Sequence, residues 1–211
     1  MIATSQNNPD NLRLEGELSQ QKCKTRHDFV KSAGLLKEPL IDPKVPMTAL
    51  ILAGGKSLGN KTLLEALVRL TASIFSETFI ISSQNENYQQ FNLHGAAVLH
   101  DFLENKGPLV GLYTGLSYST HQASCVVTCD KPLPEASLLR ELAALWRDDY
   151  DAVCPEDSQG HLQPFPGIYR RASRHFIRLL LDRGETATRR LFDILVIRPL
   201  VLGKKETVSP N

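Results

Sequence analysis

The length and charge of this chain limit the kinds of function that it can have. Its 211 residues are enough for one sizeable α/β domain and an additional segment, and a formal net charge of +1 gives no general attraction to nucleic acid or to an anionic membrane. Its apolar runs are far shorter than the roughly 18 residues of a membrane-spanning helix, and the amino terminus lacks a secretion-signal pattern. We therefore expect a cytoplasmic protein that binds neither nucleic acid nor membrane.

The first 46 residues differ in character from the rest of the chain. They are mostly polar, and their apolar residues follow no sustained period, so they are unlike a segment that buries a core. The stretch EPLIDPKVP then supplies prolines that suit an extended linker ahead of Met47. The sequence predicts a poorly ordered extension over residues 1–46 and a folded domain over residues 47–211.

From Met47 onward, short β-branched runs alternate with longer segments of helical spacing. The predicted strands are 48–53, 78–83, 96–101 and 124–129, and the predicted helices are 61–75, 111–119, 135–149 and 171–184. Four further segments complete the predicted domain: 150–155, 162–169, 188–195 and 196–202. Strands that alternate with helices in this way predict an α/β fold, in which helices cover both faces of a mostly parallel sheet.

The four cysteines do not have the spacing of a zinc site. Cys125 and Cys129 flank three residues of a strand-like run, so the alternation of a strand puts both on the same face. We expect Cys23, Cys125, Cys129 and Cys154 to be small thiols in a reducing compartment.

Several predicted strands end in glycines or in an aspartate. Gly54 and Gly55 follow the first strand, and Asp101 and Asp130 stand at the ends of the third and fourth. In a parallel α/β sheet the ligand crevice lies beyond the carboxyl ends of the strands. The sequence therefore predicts that these residues converge on one crevice.

The stretch LILAGGKSLGNKTLL, residues 50–64, is a candidate phosphate-binding turn. Glycines after a strand let backbone N–H groups approach phosphates closely, and Lys56 and Lys61 would neutralise phosphate oxygens. The stretch is not a P-loop, because Asn60 separates Gly59 from Lys61, and no G-x-G-x-x-G fingerprint is present. A turn that simply needs glycine is the alternative.

Asp130 is the candidate metal ligand in the stretch VVTCDKPLPEASLL. A carboxylate at the end of a buried strand needs water, a partner or a cation, and a hard oxygen ligand suits Mg²⁺. Alternatively, Asp130 only begins the turn before Pro134 and Glu135 open the next helix.

Four segments follow each other in the order and spacing of a known family. They are LILAGGKS…NKTLLEAL, VLHDFLENKGPLVGLYTGL, VVTCDKPLP and LQPFPGIYRR. Over about residues 47–195 the chain resembles the molybdenum cofactor guanylyltransferase family. The resemblance implies a three-layer Rossmann-like nucleotidyltransferase fold that transfers GMP from GTP to molybdopterin-bound molybdenum cofactor, giving molybdopterin guanine dinucleotide and pyrophosphate. It also implies Mg²⁺ as cofactor, and molybdoenzymes or cofactor chaperones as protein partners.

By position, the resemblance implies a GTP site built from the strand tips and the first helix. Its residues are Leu52, Ala53, Gly54, Gly55, Lys61, Ser82, Asp101 and Asp130. Lys61 and Asp130 would be catalytic, with Lys61 on the phosphates and Asp130 on both GTP and Mg²⁺. Ser82, where the family often has asparagine, would lie by the guanine, and Asp101 would contact the nucleotide. Residues 163–169 would form part of the pterin-side wall.

Three features depart from the family pattern. The loop LAGGKSLGNK lacks the Arg-Met-Gly segment of the usual LAGG-x-S-x-R-M-G-x-D-K, and Asn60 replaces its aspartate. The last residues, VLGKKETVSPN, do not match the family's N-x-N-T-P-E-D-L stretch. Two alternatives follow: a related nucleotidyltransferase that uses CTP or a sugar phosphate, and a nucleotide-binding relative with little catalytic activity.

Overall fold

The computed structural model describes residues 44–54, 61–82, 88, 90–103 and 107–202. The predicted extension lies outside these residues up to residue 43, and so do Gly55, Lys56 and Asn60 of the glycine turn. The first strand begins at Val45, earlier than predicted, because Val45 pairs with Phe75 across the sheet.

The described residues form an alternating series of strands and helices. The strands are β1 (Val45–Leu52), β2 (Phe75–Ser82), β3 (Ala97–His100), β4 (Ala123–Thr128), β5 (Ala152–Glu156), β6 (Gly167–Arg170) and β7 (Ile197–Val201). The α-helices are α1 (Lys61–Ile74), α2 (Pro108–Tyr118), α3 (Ala136–Leu145) and α4 (Arg174–Asp182), and short 3₁₀ helices cover Arg171–Ser173 and Thr188–Asp193. In the part of the chain that is described, no helix has the length and apolar character needed to cross a membrane.

The seven strands form one sheet in the order β3-β2-β1-β4-β6-β5-β7. The pairs β1–β2, β1–β4, β2–β3 and β5–β7 are parallel, whereas β6 is antiparallel to both of its neighbours. The predicted mostly parallel sheet is confirmed. Because β6 runs in reverse, its first residue, and not its last, lies at the edge where the other strands end.

Alternation along β1 divides the core between the two faces of the sheet. Ala49 and Ile51 face the layer that contains α1 and α3, and Leu50 and Leu52 face the layer that contains α2 and α4. The helices contribute the apolar stripes that cover these faces: Leu64, Leu67, Leu139 and Leu142 on the first, and Leu109, Leu112, Ile177 and Leu181 on the second. The fold is therefore the three-layer α/β arrangement that the sequence predicted.

Three helices differ in length from the sequence prediction. Helix α4 covers Arg174–Asp182 of the predicted 171–184, because residues Arg171–Ser173 form a 3₁₀ helix. Helix α2 begins at Pro108, before the predicted start at residue 111, because proline suits the first position of a helix, where its missing N–H leaves no hydrogen bond unmade. Helix α3 ends at Leu145 because Trp146 is extended, with φ −65° and ψ 136°. The guanidinium of Arg147 then donates to the carbonyls of Ala144 and Trp146 at this end.

The three cysteines within the described residues are buried thiols. Cys125 and Cys129 belong to the same apolar cluster, as the strand alternation predicted. Burial raises the pKa of the Cys154 thiol to about 11 and raises that of Cys125 further. The thiols of Cys125 and Cys154 are therefore neutral at ordinary pH.

Candidate active site

The carboxyl ends of the first four strands are aligned by backbone hydrogen bonds. The N–H of Ala53 donates to the carbonyl of Ile81 at 2.8 Å, and the N–H of Asp101 donates to the carbonyl of Ser82 at 2.8 Å. The N–H of Cys129 donates to the carbonyl of Leu52 at 3.2 Å. The ends of β1, β2, β3 and β4 therefore lie in one row, and the predicted convergence of Gly54, Asp101 and Asp130 follows from this row.

The end of β1 presents backbone rather than side chains. Leu52 is 8% exposed and Ala53 is 2% exposed, so their side chains lie in the core. Gly54 is exposed, and a Cβ atom built on it would meet no atom within 4 Å. The position that a side chain would take at Gly54 therefore has space for a ligand.

Lys61 is the first residue of α1 and carries a positive charge at that helix end. Its Nζ lies 3.9 Å from Oε1 of Glu65 and 5.7 Å from the centre of the Phe91 ring, and its side chain is 54% exposed. The first turn of α1 contains no acidic residue. The positive end of the helix dipole and the ammonium group therefore both favour an anion at this position.

Ser82 and Asp101 stand at the ends of β2 and β3. Ser82 is fully buried, and the carboxylate oxygen Oδ1 of Asp101 lies 3.8 Å from the point where a Cβ on Gly111 would stand. Gly111 belongs to the first turns of α2, so Asp101 lies against the amino-terminal part of that helix. The contacts of Ser82 with guanine and of Asp101 with the nucleotide stay predictions.

Asp130 is exposed in the turn that follows β4. Among the residues that the structure describes, no group of three or more His, Cys, Asp or Glu side chains is arranged to hold a metal ion. Mg²⁺ is commonly held by one or two carboxylates together with water and substrate phosphates. Asp130 therefore fits a cation that is shared with a phosphate substrate, and not a site made of protein ligands alone.

Sequence reasoning missed Lys131, which joins the end of β4 to the segment that precedes β6. Its Nζ donates to the carbonyl of Phe165 at 2.9 Å, although the two residues are 34 positions apart. The contact exists because β6 runs in reverse and starts at the edge where β4 ends. The place of Lys131 directly after Asp130 was the available signal in the sequence.

Further hydrogen bonds fix the segment before β6. The hydroxyl of Tyr169 donates to the carbonyl of Pro164 at 2.7 Å, and the N–H of Gln163 donates to the carbonyl of Pro155 at 2.7 Å. The amide of Gln163 also donates to the carboxylate of Asp157 at 3.4 Å. Residues 163–167 are thus held along the same edge as the strand ends.

Asp157 organises the loop between β5 and this segment. The backbone N–H groups of His161 and Gln159 each donate to Oδ1 of Asp157 at 2.9 Å. These bonds, with that of His161 first, lower the pKa of the Asp157 carboxyl. The loop is thus held by a carboxylate that stays ionised at ordinary pH.

A cavity of about 250 Å³ lies away from this row. It is lined by Lys44, Ala72, Phe75, Ser76, Glu77, Thr78, Phe79, His94, Gly95, Ala96 and Ala97. Most of the strand residues among them belong to the start of β2, so the cavity is at the opposite edge of the sheet. None of its lining residues is a predicted site residue.

Comparison with known proteins gives a family for the sequence. Residues 49–198 match the family described as the MobA-like NTP transferase domain. A probable molybdenum cofactor guanylyltransferase of Flavobacterium johnsoniae is 26% identical over 166 residues, which cover 72% of this chain and 82% of the relative. A molybdenum cofactor guanylyltransferase of Pseudomonas syringae is also 26% identical over 166 residues, with the same coverage.

Solved structures share the fold at low sequence identity. A putative protein of Aquifex aeolicus superposes with a TM-score of 0.64 at 18% identity, over 76% of this chain and 89% of its own. A Mycobacterium tuberculosis protein in complex with manganese has a TM-score of 0.58 at 14% identity, over 74% and 88%. A 2-C-methyl-D-erythritol 4-phosphate cytidylyltransferase of Thermus thermophilus has a TM-score of 0.57 at 16% identity, again over 74% and 88%.

Proposed function

This chain belongs to the MobA-like NTP transferase domain family and is therefore a nucleotidyltransferase, and we propose that it transfers GMP from GTP to molybdopterin-bound molybdenum cofactor. The products are molybdopterin guanine dinucleotide and pyrophosphate. The observation that carries the proposal is the row of strand ends, in which the exposed Gly54, Asp101 and Asp130 follow neighbouring strands at one end of the sheet. The relatives named molybdenum cofactor guanylyltransferase support this choice of substrates.

The reaction needs no covalent intermediate with the protein. An oxygen of the terminal phosphate of molybdopterin attacks the α-phosphorus of GTP and forms a new P–O bond. The bond from the α-phosphorus to the oxygen that bridges to the β-phosphate breaks, and pyrophosphate leaves. Because nucleophile and electrophile are both anionic, the main task of the protein is to hold them together and to offset their charge.

The residues divide this task between them. The exposed backbone at Gly54 binds phosphate, and the ammonium of Lys61 neutralises phosphate oxygens at the start of α1. Asp130 holds the divalent cation, proposed here to be Mg²⁺, which supplies charge stabilisation at the phosphates when bound. The backbone of Leu52, Ala53 and Gly55, with Ser82 and Asp101, completes the proposed GTP site.

The acceptor side of the site is the segment 163–169 before and within β6. Its position beside the end of β4 supports this assignment, since Lys131 joins the two directly. The proposal includes a cytoplasmic location, where the described cysteines would stay reduced, and it makes molybdoenzymes or cofactor chaperones the recipients of the product.

Pyrophosphate release by the purified protein tests the proposal. The assay contains Mg²⁺ and molybdenum-loaded molybdopterin and compares GTP, CTP and ATP. Asp130→Asn keeps the size of the side chain but removes its charge, so we expect turnover to fall at least about a hundredfold. Asp149→Asn makes the same chemical change in an exposed turn outside the site and should leave turnover unchanged.

The nucleotide that supports release decides between the alternatives. Release with GTP alone supports the guanylyltransferase, and release with CTP alone would replace GTP by CTP in the proposal. The protein could also bind GTP but release no pyrophosphate, either with molybdopterin or with sugar phosphates as acceptors. That result would make the chain a nucleotide-binding relative with little catalytic activity. That outcome would point to the shortened glycine loop, which lacks the Arg-Met-Gly segment of the family.

A further inference from the structure

Lys131 is a cation at the candidate site that is held by a neutral partner. Its Nζ donates to the carbonyl oxygen of Phe165 at 2.9 Å, and the side chain is partly buried. Within the described ranges, no carboxylate lies within ion-pair distance of this ammonium group. A carbonyl satisfies one of the three N–H donors but does not neutralise the charge, so two donors and a full positive charge are available to a ligand.

Both residues of the Lys131–Phe165 hydrogen bond determine where the ammonium group lies. Lys131 follows Asp130 directly, and Phe165 precedes β6 in the segment that the carbonyl of Pro164 and the side chain of Gln163 help to fix. Phe165 is 5% exposed and packs 6.2 Å from the ring of Tyr169, so its carbonyl has little freedom to move. The ammonium therefore stands between the end of β4 and the proposed acceptor side.

A cation on the acceptor side favours an anionic acceptor, because the divalent cation that Asp130 would hold serves the phosphates of GTP. A phosphate monoester that approaches this end of β4 meets the negative charges of GTP and of the exposed Asp130 carboxylate. A lysine one residue further along, aimed at the acceptor side, offsets that repulsion and supplies charge-assisted hydrogen bonds to phosphate oxygens. Lysine binds phosphate well as a point charge.

We propose that Lys131 binds the phosphate of the acceptor, and that its hydrogen bond to the Phe165 carbonyl holds the ammonium ready at the acceptor side before the acceptor arrives. The inference rests on the proposed function for the identity of the acceptor, a phosphate monoester of a pterin. Lys131 thereby selects for an anionic acceptor, while the glycine turn, Lys61 and Asp130 serve the nucleotide.

Three substitutions separate phosphate binding from a purely structural link. Lys131→Met removes both charge and donor, Lys131→Gln keeps a donor for the Phe165 carbonyl but no charge, and Lys131→Arg keeps both. Lys44→Met makes the same change at an exposed lysine on the opposite edge of the sheet and serves as the control. The acceptor KM, the GTP KM, kcat and the thermal midpoint are measured for each protein.

We expect Lys131→Met and Lys131→Gln to raise the acceptor KM at least about tenfold, because each loses one charge-assisted interaction. Lys131→Arg should stay within about threefold of the parent protein, and the GTP KM should change less than about twofold in all variants. Raising the ionic strength should increase the acceptor KM of the parent protein more than that of Lys131→Met, since only the parent retains the charge.

A structural link would give a different pattern. Lys131→Gln would then behave like Lys131→Arg, and Lys131→Met would lower the thermal midpoint without a selective change in the acceptor KM. Either result would overturn the inference.

Equilibrium binding of molybdopterin, measured in the absence of GTP, keeps this test independent of the proposed function. If the parent protein releases no pyrophosphate, the proposed function fails, and the binding arm still decides the role of Lys131. Weaker molybdopterin binding by Lys131→Met and Lys131→Gln, but not by Lys44→Met, supports the inference. Equal binding by all four proteins, or no binding by any, contradicts it.

Discussion

At the scale of single residues, the side chains of Cys154 and Tyr169 form a buried pair with its own dependence on pH. The thiol of Cys154 donates to the hydroxyl oxygen of Tyr169 at 3.7 Å. Burial raises the pKa of Cys154 from 9.0 to about 11, although the hydrogen bond to Tyr169 offsets part of the effect. Burial, followed by the charge of Cys154, also raises the pKa of Tyr169. Both groups are therefore neutral in the folded chain at a pH where the unfolded chain begins to ionise.

We expect the free energy of unfolding to fall as the pH rises above about 9. The unfolded chain loses the thiol proton first, so the folded state loses stability between the two pKa values, by about 2 kcal/mol from Cys154 at pH 11. Cys154→Ala should make this decline less steep in urea unfolding at pH 8 to 11. If the free energy of unfolding of Cys154→Ala falls with pH as steeply as that of the parent protein, the loss of stability at alkaline pH comes from other groups.

Candidate site residues could be chosen from the sequence where they stand at the end of a predicted strand. Asp101 and Asp130 were chosen on this ground, because the ligand crevice of a parallel α/β sheet lies beyond the strand ends, and their roles in the site stay predictions. Lys131 was not found, because its hydrogen bond to Phe165 depends on the direction of a distant strand. An apolar strand pattern indicates a strand but not the direction in which it runs.

At the scale of elements, α2 packs on β1 through two glycines. A Cβ on Gly115 would stand 2.7 Å from Cδ1 and 3.2 Å from Cγ of Leu50, which is fully buried. A Cβ on Gly111 would stand 3.2 Å from Cδ2 of Leu52. The helix can lie this close to the strand only because these positions carry no side chain.

Gly115→Ala should therefore destabilise the protein. Overpacking against Leu50 costs about 1–3 kcal/mol, which outweighs the gain of up to about 1 kcal/mol in helix propensity. Gly111→Ala should cost less, because its contact with Leu52 is longer. Urea unfolding of both variants gives the comparison, and a Gly115→Ala protein at least as stable as its parent would refute the packing argument.

Helices with a clear apolar period were predicted more accurately than elements without one. Helix α1 was expected at 61–75 and covers Lys61–Ile74, because its apolar residues recur with helical spacing over its whole length. The start of α2 was missed because the glycine and proline before it also suit a turn. The 3₁₀ helix at Thr188–Asp193 is too short to produce a period that sequence reasoning can recognise.

At the scale of the whole molecule, the carboxyl ends and the amino ends of the parallel strands have different roles. The candidate active site lies at the ends of β1 to β4, and a chain of hydroxyl groups lies at the other edge. Ser124 donates to Ser119 at 2.9 Å, Ser119 donates to Thr48 at 2.8 Å, and Thr48 donates to the carboxylate of Glu77 at 2.6 Å. Nδ1 of His121 also lies 3.0 Å from the Thr48 hydroxyl. This chain joins β1, β2 and β4 to the end of α2.

Thr48→Val should lower stability without affecting catalysis. It removes the hydroxyl that links Ser119 to Glu77, so buried polar groups lose a partner at a cost of about 1–3 kcal/mol. Both KM values in the pyrophosphate assay should be unchanged, because the site lies at the other edge. Thr48→Ser, which keeps the hydroxyl, is the control, and a Thr48→Val protein with weakened GTP binding would contradict this separation.

The place of β6 beside β4 also determines when the open side of β4 is covered during synthesis. Strands β1 to β4 are made by residue 128, but β6, the second neighbour of β4, is made only at residues 167–170. Until then the nascent chain displays an open strand, ASCVVT, that contains neither proline nor a charged residue. Such an edge favours pairing with other chains, so translation that stops between β4 and β6 would release fragments prone to aggregate.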